Sequence, residues 1–427
     1  MRDQSAFGEA TRKWNLTDVE ISDSDCLILR DLAKQVAEAA ADPEQKERAD
    51  LWKKHNCLER TRPLIFCDPE NGWNELIPDS VMCCKGELAA IWENRLRKDI
   101  YWAWEMGDDK VTDNNFYVYY VYTDSGWGIP TQYIRSDKEL GSYTWKPGLE
   151  TYAVIDKLHF PEIIIDYKST EKIKQLAEYV FGDFLNVELR GQWWWSINPT
   201  NDLVYMRGIE QLMMDFLDYP EELHSIMAFL RDGYLHKLDF LQKNNLLSRN
   251  DGNIYVGSGG FGFTDKLPSP GFDGKVRLSD MWGFCESQET TCISPEMFEE
   301  FVFTYQLPLM EPFGLCCYGC CEPMDMRIEI VKKACNLRRV SVSAWAHREK
   351  MRDALGSNYI YSYKPTPADI ARPASDWERI RKEIRETLQI AKDCQLEIIM
   401  KDNHTLGNNP DNAKTWCKIA KEEAMRL

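Results

Sequence analysis

The chain has 427 residues, 44% of them hydrophobic and 28% charged, with a formal net charge of -17. That composition supports a large core in an ordinary globular protein. An acidic surface of this size repels phosphate backbones, so nucleic acid is excluded as an expected partner. The opening stretch MRDQSAFGEATRKWNLTDVEISDSD lacks the apolar centre of a secretory signal. No apolar run reaches the roughly 18–20 residues of a membrane helix, and the expected location is the cytoplasm.

The 14 cysteines fit that location. A chain this long needs no disulfide staples, and several thiols are adjacent pairs, among them Cys320-Cys321. Adjacent cysteines do not readily bond each other, so buried thiols or metal ligands in a reducing compartment are expected.

In chain order, residues 1–95 read as a mostly helical, polar extension, with helix-forming composition over 27–41 and 43–55. Thr61 to Cys67 is a short β-rich run, and Gly86 to Met106 has helical spacing of apolar residues. Strand-like runs follow at Phe116–Tyr122, Glu162–Tyr167, Val187–Trp195 and Asn253–Gly257. From there strands at 278–284, 315–320, 339–345, 359–363 and 397–401 alternate with helices, the last over 412–424. Short apolar strands alternating with helices of 10–20 residues imply a parallel sheet covered on both faces. About eight such strands from residue 162 onward point to one (β/α)8 TIM-type barrel over 96–427, with 1–95 packed on it.

Chemistry in such a fold sits at the carboxyl ends of the strands. Two of those ends carry metal-ligating residue types. Tyr318-Gly319-Cys320-Cys321-Glu322 offers thiolates and a carboxylate, and Asp402-Asn403-His404 follows the last strand. Cysteine, carboxylate and histidine together suit zinc with an open position. The alternative is that Cys320 and Cys321 pack and His404 is a turn residue. Glu286 at another rim position is a candidate general acid or a solvated loop residue. Lys364 could place a positive charge near a substrate. The glycine-rich loop at 257–262 has no helix after it, so it reads as a lid or a close-approach loop rather than a dinucleotide site.

The ordered set Trp282-Gly283-Phe284-Cys285-Glu286-Ser287-Gln288, Ile293 to Phe301, Tyr318 to Pro323, Arg338 to Ser343, Tyr363-Lys364-Pro365 and Lys401 to Thr405 resembles the uroporphyrinogen-decarboxylase superfamily, which includes corrinoid-dependent methyltransferases. The resemblance covers residues 278–424. In the zinc enzymes of this family a His-x-Cys at one strand end and a cysteine at the last strand hold the metal. Tyr318 stands here in place of that histidine, and Asn403 and His404 near that last cysteine. The resemblance implies zinc held by Cys320, Cys321, Glu322 and His404. The arginine-rich decarboxylase motif is missing, which argues against porphyrinogen decarboxylation.

The Tyr-Gly-Cys-Cys-Glu variant resembles methyltransferases of anaerobic bacteria that demethylate aryl methyl ethers. It implies transfer of a methyl group from a small aromatic methyl ether to the Co(I) corrinoid, a cobalamin, of a partner protein. His404, Glu322 and Glu286 are then the expected catalytic groups. Trp193, Trp195, Trp282, Tyr318, Ser343, Lys364 and Asp402 are the expected substrate contacts, and a homodimer is compatible with that reading. Asp402, His404 and Gly407 also match the D-x-H-x-x-G pattern of corrinoid proteins, but the nucleotide-loop domain that role needs does not follow, so the match reads as coincidence. Three rivals stand beside the main reading: a corrinoid methyltransferase for methanol, a methylamine or a methylthiol; a non-catalytic metal-binding barrel; and a decarboxylase of another acid.

Overall fold

The computed structural model describes residues 6–16, 19–135 and 143–427. Its centre is a ladder of six parallel strands. In chain order with a separate parallel pair they are β1 (Leu64–Cys67), β2 (Asn115–Tyr119), β3 (Asn186–Arg190), β4 (Trp282–Cys285), β5 (Leu315–Tyr318), β6 (Leu337–Ser343), β7 (Ile360–Lys364) and β8 (Gln395–Met400). The six-stranded ladder runs β1-β8-β7-β6-β5-β4, and β2 pairs with β3. The first strand thus joins the last, with Leu64 opposite Glu397 and Cys67 opposite Met400. That seam, and the helix after every strand, are consistent with a TIM-type fold.

Strand membership differs from the sequence expectation. Ile163–Ile165 pairs antiparallel with Tyr122–Asp124, and Tyr255–Val256 pairs antiparallel with Gly260–Phe261. Neither enters the parallel ladder. Their places are taken by β2 and by β1, which comes from the segment expected as a helical extension. β1 reads LIFC and is buried at every position, as a strand covered on both faces must be.

Both edges of the six-stranded ladder are closed by side chains. On β1, Asp109 accepts from the Ile65 amide at 2.9 Å and Asp108 from the Cys67 amide at 3.0 Å. On β4, Asn250 donates to the Trp282 carbonyl at 3.0 Å and accepts from its amide at 2.8 Å. Exposed sheet edges are satisfied in this way rather than left unpaired.

The helix Trp377–Ile390 shows how the outer layer forms. Asp376 caps it by accepting from the Arg379 amide, and Ile380, Ile384 and Leu388 form its buried face. No helix among the described residues is long and apolar enough to cross a membrane.

The glycine-rich segment is a buried hairpin packed against side chains of β5, β6 and β8, not a lid. Gly257 has φ +66°, and a Cβ there would lie 2.7 Å from Cys317 Cβ of β5. A Cβ on Gly260 would lie 2.4 Å from the Arg339 guanidinium carbon of β6. Close backbone approach is what glycine permits at these two points. Phe261 then anchors the hairpin against Phe66 at 4.9 Å and Trp52 at 5.3 Å.

Candidate active site at the carboxyl ends of the strands

Period-two geometry aims Gln395, Glu397, Ile399 and Lys401 to one side of β8. The ideal Cβ of Gly259 on the hairpin lies 2.8 Å from Ile399, which identifies that side as the one facing the hairpin. Lys401 emerges just past the strand, its side chain only 6% exposed. Around its ammonium stand Asp402 at 3.4 Å, Glu70 at 3.7 Å and the Ser258 hydroxyl of the hairpin tip at 3.4 Å. The Trp195 ring centre is 5.9 Å away. Burial works against the charge, but Tyr255, Cys320, Asp402 and Glu70 outweigh it and hold Lys401 protonated well above the ordinary lysine range.

Two acids flanking this ammonium have left-handed backbones, Glu70 at φ 49° and Asp402 at φ 61°. Non-glycine residues pay conformational energy for that geometry, and such residues concentrate at functional sites. Partial burial, which leaves 40% of the side chain exposed, raises the Glu70 carboxyl to about 7; Lys401 and the Asp402 amide oppose the rise, and the Asp402 and Asp68 charges reinforce it.

A cavity of about 670 Å³ meets this cluster. Its wall includes Trp193, Trp195, Trp282, Phe284 and Tyr255, with Asp68, Glu70 and Lys401 bringing charge to it. Trp193 is buried against Tyr122, ring centres 4.8 Å apart, and donates its Nε1 proton to the Leu246 carbonyl. Trp195 is 46% exposed and stands edge-on to Phe284 at 5.1 Å. Trp282 is buried, with its Nε1 donating to the Gly262 carbonyl of the hairpin. The volume lies in the range of small-ligand pockets, and the aromatic walls suit flat, apolar groups.

Cys320 and Cys321 do come together with Asp402. The two sulfurs are 3.6 Å apart, and the Cys321 thiol lies 3.6 Å from Asp402 Oδ2. Ser258 donates to Cys320 Sγ at 3.3 Å. The Cys321 hydrogen bond lowers the Cys320 pKa against burial, with help from Lys401 and Ser258, so Cys320 is the member inclined to the thiolate form.

The other expected ligands lie apart from that pair. Glu322 turns both oxygens to backbone amides, those of Ser287 at 2.9 Å and Cys320 at 2.8 Å. His404 is exposed, and its Nδ1 meets the Asn71 amide nitrogen at 3.2 Å. Among the described residues no three His, Cys, Asp or Glu side chains form a metal-holding group. The residues expected to bind zinc therefore do not fit as one donor set.

Of the remaining expected residues, all but Ser343 are held by local bonds. Glu286 is buried and accepts from Ser196 Oγ, Asn198 Nδ2 and the Gln288 amide; burial, then Glu289 and Glu322, push its pKa well up. It lies beside the cavity and not on its wall. Tyr318 is buried and donates to Gln306 Oε1 at 2.6 Å. Ser343 is buried with its hydroxyl unpartnered. Lys364 is buried and donates to Ser362 Oγ at 2.5 Å; burial lowers its pKa to about 8.

Lys401, Glu70, Tyr255 and Ser258 were not singled out from sequence as site residues. A visible signal existed for two of them: Asp68 and Glu70 directly follow the β-rich run Thr61 to Cys67, and Lys401 directly follows the last strand.

No known family profile and no curated protein matches the chain. Among solved structures, a methyltransferase from Methanosarcina mazei is similar over 88% of this chain and 97% of that one, at 9% identity and a TM-score of 0.48.

Proposed function

We propose that this protein is a methyltransferase that removes the methyl group of a methoxylated aromatic and passes it to the Co(I) corrinoid of a partner protein. The observation that carries the reading is the aromatic-walled cavity with the buried Lys401 ammonium at its charged end. An aryl methyl ether is a poor methyl donor because its oxygen must leave with negative charge. A preorganised cation in a sheltered site stabilises charge that develops only as the C–O bond breaks.

The partner's corrinoid, when docked, supplies the nucleophile for the methyl carbon. This chain's residues do the rest. Trp193, Trp195, Trp282 and Phe284 hold the ring flat and exclude water. Lys401 meets the ether oxygen, and the Ser258 hydroxyl and Asp402 fix the ammonium's direction. No step runs through a metal, because Cys320, Cys321, Glu322 and His404 do not converge.

The test mixes the purified protein with chemically reduced cobalamin, free or bound to a corrinoid protein, and a panel of methoxylated phenols. Consumption of Co(I), read by its absorbance, should depend on the aryl ether and should be lost in Lys401→Met. Reaction with methanol or methylamines but with no aryl ether would overturn the substrate assignment. Silence with every donor would overturn methyl transfer itself.

A further inference from the structure

We propose that Glu70 is the acid that protonates the departing aryl oxygen while Lys401 holds its charge. This inference rests on the methyl-transfer reading above and adds a residue to it.

The acids around this end of the cavity differ in how far their oxygens are taken up. Asp68 has one oxygen committed to its own loop: Oδ1 accepts from the Trp73 indole at 3.0 Å and from the Glu70 amide at 3.1 Å. Asp402 faces Lys401 and the Cys321 thiol and is not on the cavity wall. Glu286 and Glu322 are buried behind the wall, their oxygens occupied by amide and hydroxyl donors. Glu70 lines the cavity and keeps one carboxyl oxygen 3.7 Å from the Lys401 ammonium. A leaving oxygen seated on that ammonium would therefore sit beside the Glu70 carboxyl.

The local chain places it there at a conformational cost. Asp68 and Pro69 follow β1, and Glu70 opens the turn at 70–72 in a left-handed conformation. The groups that face Glu70 are Asp68 on its own loop, Lys401 and Asp402 past β8, and Tyr255 on the hairpin. Lys98 lies over Trp73 at 5.5 Å and faces Asp68 and Asp99. Desolvation of this partly buried carboxyl is the largest effect on it, and three of these groups, which carry or can carry negative charge, add to it. The result is a carboxyl that is part-protonated near neutrality, as a general acid requires.

The step balances. The C–O bond breaks with its electron pair left on oxygen, and the methyl carbon bonds to the Co(I) nucleophile. The Glu70 proton passes to the oxygen, which leaves as a phenol. Glu70 is left as a carboxylate beside Lys401 and regains a proton from water.

The experiment measures methyl transfer to free cob(I)alamin from anisoles whose rings run from electron-rich to nitro-substituted. A nitro-substituted phenolate leaves without a proton, so it does not need the acid. Glu70→Gln should slow electron-rich ethers by about 100-fold or more and leave the nitro ether near the wild-type rate. The wild-type rate should fall as pH rises through about 7, and that limb should vanish in the Gln variant. Glu70→Asp should keep the limb at a reduced rate. Equal losses across the whole series, or an unchanged pH limb in Glu70→Gln, would overturn the acid while leaving methyl transfer standing. An inert wild-type enzyme would remove both.

Discussion

One strand, β8, feeds two ion clusters of opposite character. Glu397, at mid-strand, is gripped by Arg339 through Nε at 2.9 Å and Nη2 at 3.2 Å, and by His55 Nε2 at 3.1 Å. Ser362 donates to the same carboxylate, and Gln395 donates to His55 Nδ1 at 2.9 Å. Every one of these side chains is buried. Four residues on, Lys401 meets its acids at 3.4 and 3.7 Å, each by a single oxygen, and those acids are 38% and 40% exposed. The closed cluster leaves no donor for a ligand. The open one holds an ammonium short of full pairing, on backbone that is strained at both acids, beside a cavity. A structural ion cluster consumes its own hydrogen bonds; a functional one keeps some in reserve.

The largest effect expected is on the closed cluster. Arg339→Met strands Glu397 in the interior and should lower stability by about 3–5 kcal/mol, read by urea unfolding. Acid should reach this cluster first as well. The donor set on His55 requires the neutral ring, and burial holds its folded pKa below the ordinary value. Protons therefore favour the unfolded chain, and stability should decline as pH drops below about 6.5. Glu397 is also held low, with Arg339 and His55 outweighing burial. Its contribution is present above about pH 4.3, the ordinary glutamate value, and is lost as pH falls further. A flat stability profile from pH 7 to 4 would contradict this account.

Lys401→Met should show the reverse pattern. Methyl transfer should fall by about 100- to 1,000-fold, the usual loss when one preorganised charge-stabilising group is removed. Stability should change by less than about 1 kcal/mol, since Glu70 and Asp402 can take up water. An active Lys401→Met enzyme would erase the distinction between the clusters.

How much of this could be read from sequence follows the same division. The alternation of β4 to β8 with their helices was legible because fully buried parallel strands are short apolar runs. β1 was seen as a run but placed in the extension, since nothing local says that LIFC pairs with residues more than 300 positions on. EIIIDY looked like a better strand than it is, because β-branched residues serve an antiparallel pair equally well. Cys320, Cys321 and Asp402 were found because residue type announced them. Lys401 was passed over because a lysine at a strand end is ordinarily solvated, and only tertiary burial changes that. His404 and Glu322 drew attention for their chemistry, yet their side chains are directed elsewhere, which spacing cannot reveal.

The hairpin offers a way to couple the two clusters. Gly260 lies against Arg339, and two residues earlier Ser258 meets Lys401. Gly260→Ala should push into the guanidinium and cost about 1–3 kcal/mol by overpacking. Activity should drop with it, because displacing the hairpin moves Ser258. Loss of stability at full activity would show that the tip and the base of the hairpin move independently.

The smallest effect expected is at Trp195, and it tests whether the open cluster borrows anything from the cavity wall. The ring is half exposed, so its removal should leave stability within about 0.5 kcal/mol. Its centre lies 5.9 Å from the Lys401 ammonium, where a cation–π contact at a partly exposed site contributes about 0.5–1 kcal/mol. Trp195→Ala should therefore raise KM for the aryl ether a few-fold, with Trp195→Phe recovering part of it. If kcat falls instead and KM is unchanged, the ring is orienting the ammonium toward the departing oxygen rather than holding the substrate. The aromatic wall would then belong to the charge cluster and not merely border it.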